Sequence, residues 1–266
     1  MNKTILRLLL VVVATMFVAE RAMAWENVGH AVIAYNAERL LDPEVKAKCR
    51  HYLKASIPFY ATWMDQARSI EPYTVCDKWH STNIDAKNKV VVGKPTTGAY
   101  HIERIRKEMA NGAYKTMSDS LVKINLQYLI HMVGDHHCPV HVRWSKKSHP
   151  QFHYNLLNKG KKRRPHGFWD GSIAFRRGKW TAEKHFENMQ LLSPKQAKKM
   201  QKGTAYDWTQ ETADVWRKYC FPAMPEGTDI SKMSEEDVAT VHAIVDKQVQ
   251  RAAYRLAGVL TEIFKE

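Results

Sequence analysis

The sequence is poor in cysteine, in acidic side chains and in long apolar runs, and each shortage narrows what the chain can be. Four cysteines, Cys49, Cys76, Cys138 and Cys220, are spread over 266 residues, and no two fall at the short spacings of a thiolate zinc motif. In an exported chain they would permit two disulfides in any of three pairings. The one marked apolar stretch, Leu8–Ala19, is well short of the roughly 20 residues that span a bilayer, so no transmembrane segment is expected. Acidic residues number 27 against 41 Lys and Arg, a formal charge of +14. That excess favours polyanionic partners, nucleic acid or an anionic membrane surface, and says nothing about fold. No Gly/Ser-rich linker and no repeat divides the chain. Apolar residues, by contrast, make up 44% of it, which excludes global disorder and supplies a substantial core.

The first 24 residues stand apart. Lys3 and Arg7 flank the apolar run on one side, and Ala22-Met23-Ala24 closes it with a small-x-small pattern, the form of a secretory signal peptide. The expected mature chain is one domain, residues 25–266, secreted or periplasmic. Losing Lys3, Arg7, Arg21 and Glu20 lowers its charge to about +12. The single glycosylation triplet, Asn2-Lys3-Thr4, lies inside the signal. Nothing implies a stable protein partner, and a monomer is expected.

Most of the mature chain reads as helix. Asp42-Pro43 offers an N-cap and a first-turn proline for a helix towards Tyr52. The polar stretch from Asp85 to Thr97 reads as a loop or small strand. Ile102–Ala110 has helical spacing and stops at Asn111-Gly112. From about Ser118, Leu121, Ile124, Tyr128, Leu129 and Val133 recur at helical intervals, which predicts a central core helix. It should kink or end near Pro139, which lacks an amide hydrogen. Ser193-Pro194-Lys195-Gln196 and Ser234-Glu235-Glu236-Asp237 read as helix starts, the second opening a long amphipathic helix through Val238, Val245, Leu256 and Ile263. Between Arg143 and Pro165 the chain is basic and turn-rich, with Lys146, Lys147, Lys159, Lys161, Lys162, Arg163 and Arg164 around Asn158-Lys159-Gly160. A solvated loop or hairpin accounts for it.

Histidine and aspartate carry the chemistry. His131 and Asp135 lie four apart on the central helix, and His166 and Asp170 repeat the interval, so each pair can face one cation. Either pair alone is equally an ordinary surface hydrogen bond. The first, however, sits on an otherwise apolar helix, where unpaired ionisable groups are costly, and His136, His137 and His141 follow at once. Imidazoles with carboxylates and no thiolates suit an open, catalytic zinc site. Cleavage after Ala24 would leave Trp25 with a free α-amine close to His30, and an amine of pKa near 8 can yield its proton to a cation.

WENVGH (from Trp25), ATWMDQAR (Ala61–Arg68), KWH (Lys78–His80), LIHMVGDHHCPVH (Leu129–His141) and HGFWD (His166–Asp170) occur in an order that resembles the zinc-dependent, single-strand-specific nucleases of the mung bean nuclease type. Those enzymes share a helical fold with bacterial zinc phospholipase C. The resemblance implies an all-α fold: a single, mainly helical domain with a zinc cluster in a cleft and small hairpin or loop insertions. It implies three zinc ions. Asp65, His80 and His131 would hold the first, with Asp135 bridging to the second. Trp25, through its amine and carbonyl, His30 and Asp135 would hold that second ion, and His141, His166 and Asp170 the third.

The implied activity is hydrolysis of single-stranded DNA or RNA, with 3′-nucleotidase action, by a zinc-activated water attacking phosphorus. Asp65 and Arg68 are the catalytic candidates, Arg68 as a phosphate contact or as an orienter of Asp65; a surface arginine is the plainer alternative. His137 is expected to support a ligand through a hydrogen bond, and His136 to be exposed or structural. His101, His149 and His153 read as surface residues. Phe168, Trp169, Trp144 and Tyr154 are candidates for stacking on bases, or core.

Departures from the family pattern bear on substrate choice. Cys138 stands where those nucleases commonly carry Gln, Lys146–Asn155 replaces a Gly-Gly-Asn, Gly171-Ser172 lacks a nearby Asn, and Glu26 replaces a Gly. A zinc phospholipase C is the alternative, although its last ligand pair is typically HxxxE, whereas HxxxD stands here. A non-catalytic zinc- or polyanion-binding protein is a third reading.

Overall fold

The computed structural model describes Trp25 and residues 27–145, 154–178 and 180–264. Residues 1–24, expected as a signal peptide, and Glu26, Lys146, Lys147, His149 and His153 lie outside the described residues. Capping sets the helix boundaries. Asp42 accepts the Glu44 amide at 2.9 Å ahead of Pro43, so α2 (Pro43–Leu53) follows α1 (Asn27–Leu40) after a two-residue break. Asp65 lies on the short α3 (Trp63–Ala67), and a 3₁₀ segment, Tyr73–His80, leads to strand β1 (Thr82–Ile84).

Helix α4 (Gly98–Met109) begins four residues before the expected start. Strand β1 makes that start possible: the Gly98 amide donates to the Ser81 carbonyl at 3.1 Å and the Ala99 amide to Thr82 Oγ1 at 3.0 Å. First-turn amides that an isolated helix leaves unpaired are thus satisfied from outside. Gly98 also permits the approach itself. A methyl there would lie 2.0 Å from the Trp79 carbonyl oxygen and 2.2 Å from His136 Cε1. Gly98→Ala is therefore expected to destabilise the protein by at least about 1–3 kcal/mol, the usual cost of overpacking. An unchanged urea midpoint in that variant would refute this account of the start of α4.

Ser118 caps α5 (Asp119–Asp135) by accepting the Leu121 amide at 3.3 Å. Every residue from Asn125 to Asp135 is buried, so this part of the helix is enclosed on all sides, as an all-round apolar stretch requires. It ends at Asp135, as Pro139 demands. The chain then turns into β2 (Val142–Trp144), which pairs parallel with β1, Thr82 opposite Val142. Next comes the hairpin β3 (Leu156–Asn158) and β4 (Lys161–Arg163), whose two-residue turn has φ 50° at Lys159 and 73° at Gly160. It leads directly into α6 (Pro165–Asp170).

The remaining helices are α7 (Ala182–Asn188), α8 (Pro194–Met200), α9 (Ala205–Val215), α10 (Phe221–Ala223) and α11 (Glu235–Phe264). A Ser193–Gln196 capping box starts α8, and Ser234 accepts the Asp237 amide at the head of α11. Helix α11, about 45 Å long, packs along α1 and also meets α2, α4 and α5. Its C-terminal half joins Leu53, Ile102, Leu126, Leu129 and Val133 in one core. Its N-terminal half joins Trp25, Ile33, Val140, Trp169 and Trp216 in a second. Two three-residue strand pairs are the only sheets among the described residues. No described helix is long and apolar enough to cross a membrane.

One expectation is corrected here, and one pair of alternatives is decided. All four cysteines are free and buried: Cys49 and Cys76 lie in the first core, Cys138 and Cys220 in the second. No disulfide joins them, and burial pushes the Cys49 and Cys76 thiols up to about 12. Phe168, Trp169, Trp144 and Tyr154 are all less than 10% exposed, packed in the second core, so none offers a face to a base. The hydrophobic gain from burying large rings prevails.

Candidate metal centre

The side chains singled out in the sequence converge between the two cores. His30 projects from the first turns of α1, Asp65 from α3, His80 from the end of the 3₁₀ segment, and His131 and Asp135 from α5. Helices α1 and α5 approach closely because residue 134 is glycine: a Cβ there would lie 3.0 Å from His30 Nδ1. The rings of His30 and His131 stack at 3.9 Å. After α5, successive turns closed by Cys138 N–H to the Asp135 carbonyl and His141 N–H to the Cys138 carbonyl bring His141 back beside Asp135. Helix α6 supplies His166 and Asp170 from adjacent turns.

Asp135 is the hub. Its Oδ1 lies 3.2 Å from His30 Nε2 and 3.6 Å from His141 Nδ1, and its Oδ2 lies 2.9 Å from His80 Nδ1 and 3.4 Å from His131 Nε2. Asp65 Oδ2 is 3.7 Å from His131 Nε2, and Asp65 Oδ1 is 3.9 Å from His80 Nδ1. On the far side, Asp170 Oδ1 is 3.7 Å from His141 Nε2, and Asp170 Oδ2 is 3.0 Å from His166 Nδ1. Three groups hold donor atoms within 4.8 Å of one another: Asp65, His80 and His131; His30, His131 and Asp135; Cys138, His141 and Asp170.

Backbone carbonyls orient two of the rings. His131 Nδ1 meets the Ala61 carbonyl at 2.8 Å and His141 Nδ1 the His80 carbonyl at 2.7 Å. Since a carbonyl only accepts, both Nδ1 atoms carry the proton and both Nε2 lone pairs face inward, the arrangement that prepares an imidazole for a cation.

The donors fit a metal because they lack other partners. His30 Nδ1 and Nε2, both Asp65 oxygens, His80 Nε2, Asp135 Oδ1, His141 Nε2, His166 Nδ1 and Asp170 Oδ2 are buried without a hydrogen-bond partner. Each such atom costs roughly 1–3 kcal/mol if left so, and seven of the nine expected ligands contribute one.

The electrostatics agree at His131, His141 and Asp135 and run the other way at His30 and Asp65. Burial pushes the His131 imidazole well below its ordinary range and lowers that of His141, keeping both neutral. Burial alone would raise the Asp135 carboxyl, but His131, His141, His30 and His80 around it hold it well below the usual range. Asp65 is raised by burial and by the charge of Asp135. For His30, burial is outweighed by Asp135, and the imidazole is raised. Neutral imidazole and ionised carboxylate are the forms that bind a cation.

Trp25 is fully buried beside this cluster; its indole Nε1 donates to the Gly134 carbonyl at 2.9 Å, and its own carbonyl accepts the His30 amide at 3.3 Å. Arg68 lies with Nη2 3.8 Å from Asp65 and Nη1 3.9 Å from Asp77, only 12% of its side chain exposed. It is thus a partner of Asp65 and no free surface arginine.

Two histidines, His137 and His101, behave differently from expectation, and His136 takes the structural of its two expected roles. His137 touches none of the expected ligands: its ring bonds to the Val133 carbonyl and accepts from Arg255 Nη1 at 2.9 Å, beneath Trp208. With both ring nitrogens taken by Val133 and Arg255, it makes no supporting bond to a ligand. His136 is structural and not exposed, fixed between the Met132 carbonyl and Thr82 Oγ1. His101 is buried and stacked on Trp79 at 3.6 Å, and burial lowers its imidazole to about 4, so it is no surface residue.

Sequence reasoning also missed the Cys138 thiol, which donates to Asp170 Oδ1 at 3.1 Å. Its place three residues before His141, in the turn that Pro139 enforces, was the available signal.

A comparison with curated proteins finds no match. The S1/P1 Nuclease family profile matches residues 25–265, nearly the whole chain. That span contains every residue of the buried His/Asp cluster, and it places the chain in the S1/P1 nuclease family, zinc-dependent hydrolases of phosphoric ester bonds.

Proposed function

We propose that residues 25–266 act as an exported, monomeric, three-zinc nuclease on single-stranded DNA or RNA, with 3′-nucleotidase action at chain ends. The observation that carries this reading is the concentration of buried, unpartnered imidazole nitrogens and carboxylate oxygens in one cluster. Asp65, His80, His131 and Asp135 would hold the first zinc, Trp25, His30 and Asp135 the second, and His141, His166 and Asp170 the third. Zinc bound there supplies Lewis acidity to the phosphate and lowers the pKa of water beside it.

The chain's own groups do the rest. Asp135, reaching His30, His80, His131 and His141, ties the cluster together. Arg68, 3.8 Å from Asp65, sets a positive charge beside that carboxylate and offers guanidinium hydrogens to a phosphate oxygen. Lys159, Lys161, Lys162, Arg163 and Arg164 are exposed on the hairpin that runs straight into α6, a fitting track for the phosphates of a strand. Beside His80, half-buried Trp79 lines a cavity of about 450 Å³ with Thr74, Asp77, Lys78 and His101, which supports contact with an unpaired base.

A substrate panel tests the reading. Zinc-loaded protein beginning at Trp25 should cleave single-stranded DNA and RNA faster than duplex, release phosphate from 3′-nucleotides, and lose all of this to EDTA. Turnover of phosphatidylcholine with none of nucleic acid would overturn it in favour of a zinc phospholipase C.

A further inference from the structure

We propose that Cys138 is a metal ligand, through its sulfur, at the third cation position with His141 and Asp170. The inference rests on the three-zinc reading above and adds to it a soft donor.

Geometry supports a ligand over a spectator. In a tetrahedral zinc site with Zn–S near 2.3 Å and Zn–N or Zn–O near 2.0 Å, sulfur and oxygen stand about 3.5 Å apart, and nitrogen and oxygen about 3.3 Å. Cys138 Sγ is 3.1 Å from Asp170 Oδ1 and His141 Nε2 is 3.7 Å from the same oxygen. Shifts of a few tenths of an ångström convert one arrangement to the other. All three donor atoms lie within 4.8 Å of one another.

The surroundings point the same way. Cys138 is fully buried, His141 and Asp170 are more than nine-tenths buried, and His141 Nε2 has no hydrogen-bond partner. His166 meets the other carboxylate oxygen, with 30% of its side chain exposed, so Cys138 closes the inner side of the position while His166 stands on the solvent side. The turn is rigid: Cys138 N–H to the Asp135 carbonyl at 2.9 Å and His141 N–H to the Cys138 carbonyl at 3.0 Å set both side chains towards Asp170.

On binding, the S–H bond breaks, its electron pair forms the sulfur–metal bond in place of a water ligand, and the proton leaves to solvent. The hydrogen bond to Asp170 Oδ1 is lost with it. A thiolate makes the position softer, favouring zinc or cadmium over magnesium or manganese.

Cobalt(II) substitution of the chain beginning at Trp25 tests the proposal without reference to activity. One thiolate-to-cobalt charge-transfer band should appear in the near ultraviolet, vanish in Cys138→Ser, and persist in Cys76→Ser and Cys220→Ser. Zinc affinity of one ion in three should fall about 10- to 100-fold in Cys138→Ser. Three cobalt ions bound without the band would overturn the role of Cys138 and leave the three-ion reading standing; fewer than three and no band would overturn both. A band retained in Cys138→Ser, or lost in Cys76→Ser, would also overturn it. Should Cys138→Ser not fold, the band in the natural sequence and in Cys76→Ser decides.

Discussion

Asp135→Asn is expected to strip the protein of at least two zinc ions and to lower kcat/KM on single-stranded DNA by about 10³-fold or more. Asn keeps the size of Asp, so the change isolates charge. The natural carboxylate is fully buried, meets four histidines and is held ionised by them. An amide presents one oxygen and an NH₂ in place of two oxygens, and its NH₂ would face either His30 and His141 or His80 and His131, repelling a cation there. Even partners that only orient a metal ligand cost 10- to 100-fold in affinity. A group shared by two cations should cost more, and a metal's stabilisation of a phosphoryl transition state is worth several kcal/mol, about tenfold per 1.4 kcal/mol. Zinc analysis and kinetics on the same preparation check the expectation. Full zinc content with a loss under tenfold would show that Asp135 is no shared ligand. Removing the carboxylate charge also leaves His30 less basic, so a circular-dichroism melt should accompany the assay.

The parts legible in the sequence are those that depend on neighbours along the chain. The interval from His131 to Asp135, the Asp42-Pro43 cap, the Ser193–Gln196 box and the stop imposed by Pro139 are short-range chemistry, and α2, α5, α8 and α11 follow them. What escaped was set by contacts between distant residues. Helix α4 starts early because β1 satisfies its amides. The fate of His137 was decided by Arg255, which lies 118 residues away. Thr212 Oγ1 donates to the His136 carbonyl and Gln248 Nε2 to the His137 carbonyl, so α9 and α11 grip the turn that follows Asp135 without touching the cluster. The disulfide expectation failed for a related reason: spacing along the chain cannot show that each thiol is buried and left free in the interior. Motif order brought out the His/Asp set, yet only geometry brings Cys138 to Asp170.

A chain that keeps Ala24 in front of Trp25 is expected to bind one zinc ion about 100-fold more weakly than a chain that begins at Trp25, and to lose activity in proportion. The physical difference is one nitrogen. At a mature terminus it is an amine with a lone pair available once its proton leaves, from a pKa near 8. Behind Ala24 it is a peptide nitrogen whose lone pair is delocalised into the carbonyl, and it cannot serve a cation at neutral pH. The indole does not depend on this change. It is buried against Gly29 and bonded to the Gly134 carbonyl, so both chains should fold, and unfolding curves of the two zinc-free proteins should superimpose. Trp25→Ala separates the two roles further: it keeps the amine yet should cost roughly 3–5 kcal/mol of stability for the lost ring. If the Ala24-bearing chain binds zinc and turns over substrate as well as its shorter counterpart, the second ion is held without the Trp25 nitrogen. In that case the Trp25 amine has no part in holding it, and the ring is there to pack α1 against α5.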